Sequence, residues 1–310
     1  EKQCKMETLN SPIVRRRANT ACSESEFKFP EFDSTYRPMD YSELESYKEE
    51  KVLYDLPLAP AKVQLVSEEG SEKKFVKKTI NKEYLNDTHK ALARQECVIH
   101  SQMEHKNIVK LHKFAETENT IELLMDYVND GSFFEDRLEE SSEPIEDNDK
   151  LRQYAKEALE AIAYIHAKGI IHADIKLSNL GLQRDGDSET LKVFDFGLSL
   201  LIESQEDQQV HLNHSVGTFG YMAPELKQNE IVVDPKIDIW SFGICLYKMC
   251  VGYAPEQVPR YNYGQGPIPF VKRDWRKIDP KIQDLIKQCL EYSADDRPSA
   301  QEALEHEVFQ

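Results

Sequence analysis

Apolar and polar residues alternate over short stretches in the first half of the chain, as they do in the strands of a half-buried sheet. Residues 63–66 and 75–80 have this β-like character, and a polar turn that contains a glycine separates them. Residues 87–103 have helical spacing, and residues 121–127 again have the character of a strand. The pattern therefore predicts a small sheet with one helix over residues 47–129.

From residue 149 onward, the apolar residues recur at the spacing of helices that bury one face. One predicted helix carries Leu151, Tyr154, Ala158, Leu159, Ile162 and Ile165. In a second helix, Pro235 lies early, as suits a first turn, and the apolar residues are Ile239, Trp240, Phe242, Ile244 and Leu246. We predict an α+β fold in which a small β-rich lobe, at about residues 47–129, precedes a larger α-helical lobe, at about residues 130–309.

Residues 1–40 are polar and show no sustained period, which predicts a disordered or extended arm before a folded domain at 41–309. The arm contains the basic run Arg15-Arg16-Arg17, followed by Thr20. A phosphorylation site, a basic targeting patch, a pseudosubstrate-like tail and a plain solvated segment are all consistent with this run. A regulatory partner of the protein is expected to bind through the arm.

Charge and cysteine content restrict the partners and the compartment. The 310-residue chain has a formal net charge of −17, so it would repel the backbone of a nucleic acid. Its six cysteines form no Cys-x-x-Cys pair, which favours free thiols in a reducing compartment. We expect the cytoplasm, with the nucleus as the alternative. No apolar run reaches the roughly 18 residues of a membrane span, and no secretory signal is visible.

Two short motifs carry the candidate chemistry. Residues 172–179 read His-Ala-Asp-Ile-Lys-Leu-Ser-Asn, and residues 195–197 read Asp-Phe-Gly after a predicted hairpin. These motifs place an aspartate, a lysine and an asparagine on one loop, with a second aspartate close behind. Such a set suits phosphoryl transfer, a reaction in which the protein mainly positions groups and stabilises charge.

Each side chain of this set has an expected role. Asp174 would accept the proton of an attacking hydroxyl group, and Lys176 would neutralise charge on the transferred phosphoryl group. Asn179 and Asp195 offer the oxygen ligands that Mg²⁺ prefers. The two motifs therefore predict a catalytic loop followed by a metal-binding turn.

Both motifs, followed by Ala-Pro-Glu at 223–225, resemble the catalytic core of eukaryotic protein kinases, and Lys176 is typical of the serine/threonine type. The resemblance extends over about residues 47–309. It implies the bilobal protein kinase fold, with ATP and Mg²⁺ as cofactors. It also implies transfer of the γ-phosphoryl group to a serine or threonine of a protein substrate.

The resemblance also assigns a nucleotide site. Met125 should lie at the back of the adenine pocket, and Asp126 to Val128 should form the hinge whose backbone binds adenine. Val63 and Val76 should line the same site.

A lysine of the third strand should pair with a glutamate of the following helix, and two lysines compete for this position. If Lys78 points inward, it shares its face of the strand with the apolar Val76 and Ile80, and Lys77 is expected to face solvent. If Lys77 points inward, Phe75 takes the place over the adenine where family members usually carry alanine. Alternation favours Lys78, and Glu96 is its expected partner, because a buried lysine needs a carboxylate.

Two departures from the family pattern bear on activity. The glycine-rich loop expected before Val63 is replaced by Leu-Pro-Leu-Ala-Pro-Ala-Lys at 56–62, which has no glycine to bring backbone N–H groups close to phosphates. This loss favours a weak or inactive pseudokinase that acts as a binding or scaffold protein, whereas the complete set of catalytic side chains favours an active kinase. Ala173 stands where many kinases carry an arginine that binds a phosphate of the activation segment, which the resemblance places at residues 195–225, so that phosphate is not expected to be required.

Further positions follow from the resemblance. Glu225 should form a buried ion pair with Arg297, and Asp238 should bind the backbone of the catalytic loop. Thr218 should form hydrogen bonds with Asp174 and Lys176 of that loop. Three positions where arginine-directed kinases carry a glutamate hold other residues here, Ser132, Ser178 and Lys248. Lys248 is expected to repel arginine in a substrate. The protein is therefore predicted not to require arginine upstream of its target hydroxyl.

Overall fold

The computed structural model describes residues 38–55, 60–202, 210–212, 215–227, 231–258 and 268–310. The chain divides into two compact units. The small unit contains the chain up to Ser101 together with Leu111–Tyr127, and the large unit contains Gln102–Lys110 and Val128–Gln310. The predicted arm at 1–40 lies, up to residue 37, outside the described residues.

A five-stranded antiparallel sheet, in the order β1-β2-β3-β5-β4, forms the small unit. Its elements are α1 (Ser42–Glu45), β1 (Tyr47–Asp55), β2 (Ala61–Glu68), β3 (Lys74–Asn81), a 3₁₀ turn (Lys82–Tyr84), α2 (Asp87–Ser101), β4 (Leu111–Glu116) and β5 (Thr120–Asp126). The predicted small sheet with one main helix is confirmed. The sequence pattern indicates β2, β3, α2 and β5 but misses β1 and β4.

Each face of this sheet has its own apolar core. On one face, Ile80 of β3 and Leu123 of β5 belong to the same buried cluster as Cys97 of α2. On the other face, Phe75 of β3 belongs to a cluster with Leu44 of α1. Successive side chains of a strand point to opposite faces, so β3 contributes to both cores at once.

The large unit is mainly helical. Its helices are α3 (Asn148–Ala167), α4 (Lys236–Val251), α5 (Lys272–Trp275), α6 (Pro280–Cys289) and α7 (Ala300–Leu304), with a π-helical turn at Glu135–Glu140 and 3₁₀ turns at Leu177–Asn179, Pro224–Lys227, Pro255–Gln257 and Glu307–Phe309. Its strands are β6 (Ile170–Ile171), β7 (Leu180–Asp185), β8 (Ser188–Val193), β9 (Leu200–Leu201), β10 (Val210–Leu212) and β11 (Ile231–Val233). Within the described ranges, no helix combines the length and the apolar character that a membrane span requires.

The two longest helices of the large unit follow the sequence pattern. The carboxylate of Asp147 caps α3 by accepting backbone N–H groups of its first turn, and the predicted apolar face of α3 is buried. Helix α4 begins just after Pro235 and ends at Gly252, whose φ of +80° suits glycine. Within α4 only Lys236 and Lys248 are not fully buried, so this helix lies in the middle of the unit.

A hairpin of β7 and β8 explains why Gln102–Lys110 belongs to the large unit although it precedes β4 in the chain. The N–H of Val193, the last residue of β8, donates to the carbonyl of Asn107 at 2.8 Å. The N–H of Val109 donates to the carbonyl of Val193 at 2.9 Å. The segment therefore extends the hairpin by one short stretch of backbone pairing.

Candidate active site

The predicted catalytic loop lies between β6 and β7, and Asp238 of α4 holds its beginning. The buried carboxylate of Asp238 accepts the backbone N–H groups of His172 and Ala173, each at 2.8 Å. Ala173 has a φ of +61°, a left-handed conformation that costs a non-glycine residue roughly 1–2 kcal/mol. The two hydrogen bonds hold the loop in this conformation, and the predicted contact of Asp238 with the loop is confirmed.

Asp174 lies at the centre of a hydrogen-bonded cluster of side chains. Its Oδ1 accepts the hydroxyl of Thr218 at 2.6 Å, and its Oδ2 lies 2.9 Å from Nζ of Lys176. Nδ2 of Asn179 donates to the same Oδ2 at 3.1 Å. Nζ of Lys176 also donates to Oγ1 of Thr218 at 3.0 Å, so the predicted contacts of Thr218 are confirmed. Three neighbours thus fix a carboxylate that is only 6% exposed.

The β7–β8 hairpin brings Asn179 and Asp195 to the same end of the large unit. Leu180, the first residue of β7, pairs with Val193, and the N–H of Phe194 donates to the carbonyl of Asn179 at 3.1 Å. Asp195 is the next residue, and it too has a positive φ, +66°. The hairpin therefore brings the backbones of these two residues close together although they are separated in sequence.

The donor set at this point fits a hard cation. Asn179 uses Nδ2 for its bonds to Asp174, which leaves its amide oxygen for another partner. An amide oxygen and a carboxylate are ligands that Mg²⁺ accepts, and Mg²⁺ commonly completes its shell with phosphate oxygens and water. Among the described residues, no three or more His, Cys, Asp or Glu side chains form a metal-binding group, so a larger protein-only cage is not indicated there.

In the small unit, Lys78 of β3 pairs with Glu96 of α2. Nζ of Lys78 lies 2.5 Å from Oε1 of Glu96, and the two side chains are 15% and 5% exposed. Lys77 points to the opposite face of the sheet, where its Nζ lies 3.5 Å from Oε2 of the buried Glu122 and its side chain is only 18% exposed, so the expectation that Lys77 faces solvent is wrong. The alternation of β3 therefore brings Lys78, and not Lys77, to the helix, as the sequence predicts.

The predicted adenine-lining residues share a sheet face with Lys78. Val63 is opposite Lys78 in the register of β2 and β3, and Met125 is opposite Val76 in the register of β3 and β5. Paired residues of neighbouring strands point to the same side of a sheet. These four side chains therefore form one patch on the small unit.

Among the predicted hinge residues, Asp126 directs its side chain away from the face that carries Lys78. Asp126 is opposite Phe75, so its side chain lies on the other face of the sheet, and its Oδ1 is 2.6 Å from Nε2 of His112. The predicted contact with adenine is made by the backbone of Asp126 and does not involve this side chain. The chain passes from the small unit to the large unit at Val128.

The connection between β1 and β2 occupies the place of the expected glycine-rich loop. Its residues 56–59 lie outside the described part of the chain. Lys62, in the second position of β2, has Nζ 3.6 Å from Oε2 of Glu49 in β1. Both side chains are partly exposed, at 35% and 47%.

A buried ion pair closes the activation segment onto the large unit. Arg297 is fully buried and donates from Nη1 and Nη2 to the two carboxylate oxygens of Glu225, at 2.7 and 2.6 Å. It also donates to the carbonyl of Glu291 at 2.8 Å. This two-point geometry is the strong form of an arginine–carboxylate contact, and the predicted pair of Glu225 and Arg297 is confirmed.

Sequence analysis missed the surroundings of Lys248. Its Nζ lies 3.1 Å from Oε1 of Glu139 and 3.0 Å from the hydroxyl of Tyr221, and its side chain is only 14% exposed. The expectation that Lys248 offers a free positive charge to a substrate is therefore wrong. Its neutralising partner lies on a distant π-helical turn, so neither local spacing nor composition could have indicated it.

The same π-helical turn carries acidic residues toward the catalytic loop. Burial is the main cause that raises the pKa of Glu135 above its usual value, and the neighbouring charges of Glu139 and Asp136 raise it further. The positive charge of Lys176 acts in the opposite direction. The acidic neighbours on the turn and Lys176 of the catalytic loop therefore act on the pKa of Glu135 in opposite directions.

Comparison with known proteins gives a consistent result. A family model described as Protein kinase domain matches residues 59–309. Calcium/calmodulin-dependent protein kinase type IV of Mus musculus is 30% identical over 245 residues, which cover 77% of this chain and 50% of the mouse protein. The calcium/calmodulin-dependent protein kinase type II alpha chain of Drosophila melanogaster is 32% identical over 237 residues, which cover 75% and 43%. The calcium/calmodulin-dependent protein kinase cmkB of Emericella nidulans is 31% identical over 245 residues, which cover 75% and 58%. The chain spans about half the length of these curated relatives.

Proposed function

The chain belongs to the protein kinase family, and from this premise we propose that it is an active serine/threonine kinase that transfers the γ-phosphoryl group of ATP to a protein hydroxyl. The observation that carries the proposal is the cluster around Asp174, in which Lys176, Thr218 and Asn179 all direct donors at one carboxylate. A protein that only binds partners has no physical need for this arrangement.

Asp174 is the proposed base. As the oxygen of the substrate hydroxyl bonds to phosphorus, its proton passes to a carboxylate oxygen of Asp174, and ADP leaves with the bridging oxygen. The transition state of phosphoryl transfer is loose, so orientation of the hydroxyl matters more than early proton removal. The three donors around Asp174 serve this purpose because they fix the direction of its lone pairs.

Lys176, Asn179 and Asp195 are proposed to manage the charge of the reaction. Lys176 lies next to Asp174 and would neutralise the transferred group. Asn179 and Asp195 are the proposed Mg²⁺ ligands, and the ion supplies further charge neutralisation when it is bound.

The small unit is proposed to supply most of the contacts to the nucleotide. Lys78, held by Glu96, would contact phosphate oxygens. Val63, Val76 and Met125 form the apolar patch beside it and would contact the adenine. The backbones of Asp126 and Val128 would provide the polar contacts of the base.

Activity is proposed not to require phosphorylation of the activation segment. Ala173 has no charge with which to bind a phosphate. The loop conformation is instead maintained by Asp238, and the segment after Asp195 is anchored through Thr218 and through the pair of Glu225 with Arg297. These contacts use only groups of the chain itself and no phosphate.

A pseudokinase that serves as a binding or scaffold protein is the second candidate. It is favoured by one observation, the absence of glycine from residues 56–62, because glycines let backbone N–H groups approach the phosphates. For either candidate, we propose the cytoplasm as the compartment, with the nucleus as the alternative, and the N-terminal arm as the binding segment for a regulatory partner.

A transfer assay distinguishes the two candidates. The full chain is first heated with and without Mg-ATP to detect binding as a rise in melting temperature. Radiolabelled ATP is then supplied with a mixed protein substrate. Label in protein from wild type, and its absence from the Asp174→Asn variant, supports the kinase. Absence of transfer under every condition supports the scaffold, whether or not Mg-ATP binds.

A further inference from the structure

A tight turn presents Thr218 to Asp174, and Tyr221 closes this turn. The N–H of Tyr221 donates to the carbonyl of Thr218 at 3.1 Å. The carbonyl of Tyr221 in turn accepts the hydroxyl of Ser241 of α4 at 2.8 Å. The position of Tyr221 therefore determines where the hydroxyl of Thr218 lies.

The side chain of Tyr221 is held by Glu139 and Lys248, and we call these three residues the Tyr221 clasp. The hydroxyl of Tyr221 donates to Oε1 of Glu139. Nζ of Lys248 contacts both partners, at 3.1 Å from Oε1 of Glu139 and 3.0 Å from the tyrosine oxygen. Lys248 also lies 4.8 Å from the centre of the Tyr221 ring, a cation–π distance. The clasp thus joins the π-helical turn, the Thr218 turn and α4.

The clasp is sheltered enough for its bonds to matter. Tyr221 is 6% exposed, and the side chains of Lys248 and Glu139 are 14% and 34% exposed. Burial is the main cause that raises the pKa of Tyr221 well above its usual value, and the charge of Glu139 adds to it, so its hydroxyl keeps the proton that it donates. Lys248 is also one of only two residues of α4 that are not fully buried, and its charge is directed at this cluster.

We propose that Glu139 and Lys248 are positioning residues, whose ion pair holds Tyr221 so that Thr218 stays on Asp174 and the turn can receive the protein substrate. Phe219, at the tip of the turn, is 78% exposed, which is consistent with a surface that a substrate segment contacts. The inference rests on the proposed kinase function. It gives Lys248 a role in substrate docking without direct contact with the substrate.

The test compares single variants with a reversed ion pair. Lys248→Met and Glu139→Gln each remove half of the pair, and Lys248→Glu combined with Glu139→Lys restores it with opposite polarity. Lys277→Met is the matched control, because Lys277 forms an exposed pair with Glu146 at 3.2 Å, with side chains 62% and 72% exposed. Steady-state rates are measured against protein substrate and, separately, against ATP.

Each single variant is expected to lower kcat/KM for the protein substrate about tenfold, since a hydrogen bond to a charged group is lost. KM for ATP should change by less than about twofold, because no clasp residue belongs to the proposed nucleotide site. The reversed pair should recover most of the loss, as expected for coupled residues, and Lys277→Met should match wild type. Single variants that behave like Lys277→Met, or a reversed pair no better than the singles, would overturn the proposal.

Amide hydrogen exchange at residues 218–221 tests the clasp independently of activity. Exchange should accelerate about tenfold in Lys248→Met and return toward wild type in the reversed pair, whereas unchanged exchange would overturn the proposal. If wild type transfers no phosphate, the proposed function fails, yet exchange still decides whether the clasp holds the turn. If Lys248→Met does not fold, Lys248→Arg, which keeps the charge, takes its place. Retained protection of the amides at residues 218–221 then supports the clasp, and lost protection opposes it.

Discussion

Replacement of Asp174 by asparagine removes one charge with almost no change in volume, and the structure indicates how the site would respond. In the wild type, Oδ2 receives Lys176 and Asn179, and Oδ1 receives the hydroxyl of Thr218. An asparagine can keep its oxygen toward the two nitrogen donors if its amide nitrogen turns to Thr218, whose oxygen can accept. All three contacts are kept, but the side chain that makes them is now neutral, so the ion pair with Lys176 becomes an ordinary hydrogen bond.

This loss of charge sets the size of both expected effects. Loss of the charge from this ion pair and from the two hydrogen bonds beside it costs about 2 kcal/mol of folding free energy. For a unit of this size that corresponds to a decrease in melting temperature of roughly 4–8 °C. Phosphate transfer should fall about 10²–10⁴-fold, the usual contribution of a positioned general base.

The assay measures the transfer rate and the melting temperature on the same preparations of wild type, Asp174→Asn and Asp187→Asn. Asp187 is exposed in the turn between β7 and β8, so its variant controls for removal of an acidic charge. A transfer rate within about threefold of wild type would show that Asp174 is not the base. A melting temperature more than about 10 °C lower would refute the geometry described above, because the amide would then not fit among its donors.

Three further predictions concern the rest of the molecule. Lys78→Met should reduce transfer far more than Lys77→Met in the same kinetic assay, because only Lys78 reaches α2; the reverse order would contradict the assignment. Arg297→Met should lower the free energy of unfolding by about 3–5 kcal/mol in urea titrations, and adding Glu225→Gln should recover part of it; a cost below about 1 kcal/mol would show that the pair is dispensable. Burial raises the pKa of four thiols, those of Cys97, Cys245, Cys250 and Cys289. Alkylation at about pH 8, followed by mass spectrometry, should therefore leave them unmodified until the protein unfolds. Rapid reaction in the folded state would contradict their burial.

Sequence reasoning succeeded where a local rule and a family pattern applied to the same residues. Alternation along β3 was enough to direct Lys78 to one face and Lys77 to the other, because a strand leaves no third choice. The contacts of Thr218 and the pair of Glu225 with Arg297 could be predicted because the resemblance fixed their positions along the chain. The catalytic and nucleotide-binding roles of the site residues remain predictions.

Sequence reasoning failed where pairing depends on distant partners or on irregular backbone. Strand β1 was missed because it is an edge strand with mostly exposed residues, and two register shifts interrupt its pairing with β2, so no clean alternation exists to detect. Gln102–Lys110 joins the large unit through backbone bonds to Val193, which no side-chain pattern records. Lys248 was misjudged because the charge that neutralises it lies on another segment.

The apolar cluster that joins Leu44 of α1 to Phe75 of β3 has a practical consequence for preparation of this protein. The matched family region begins at residue 59, yet Leu44 and Tyr47 cover Phe75 and Val66 on the sheet. A fragment cut at the start of that region would lose α1 and β1 together. It would expose an apolar sheet face and leave β2 as a bare edge, the combination that leads to aggregation. The smallest soluble fragment should therefore begin before Met39, whose N–H donates to the carbonyl of Phe114.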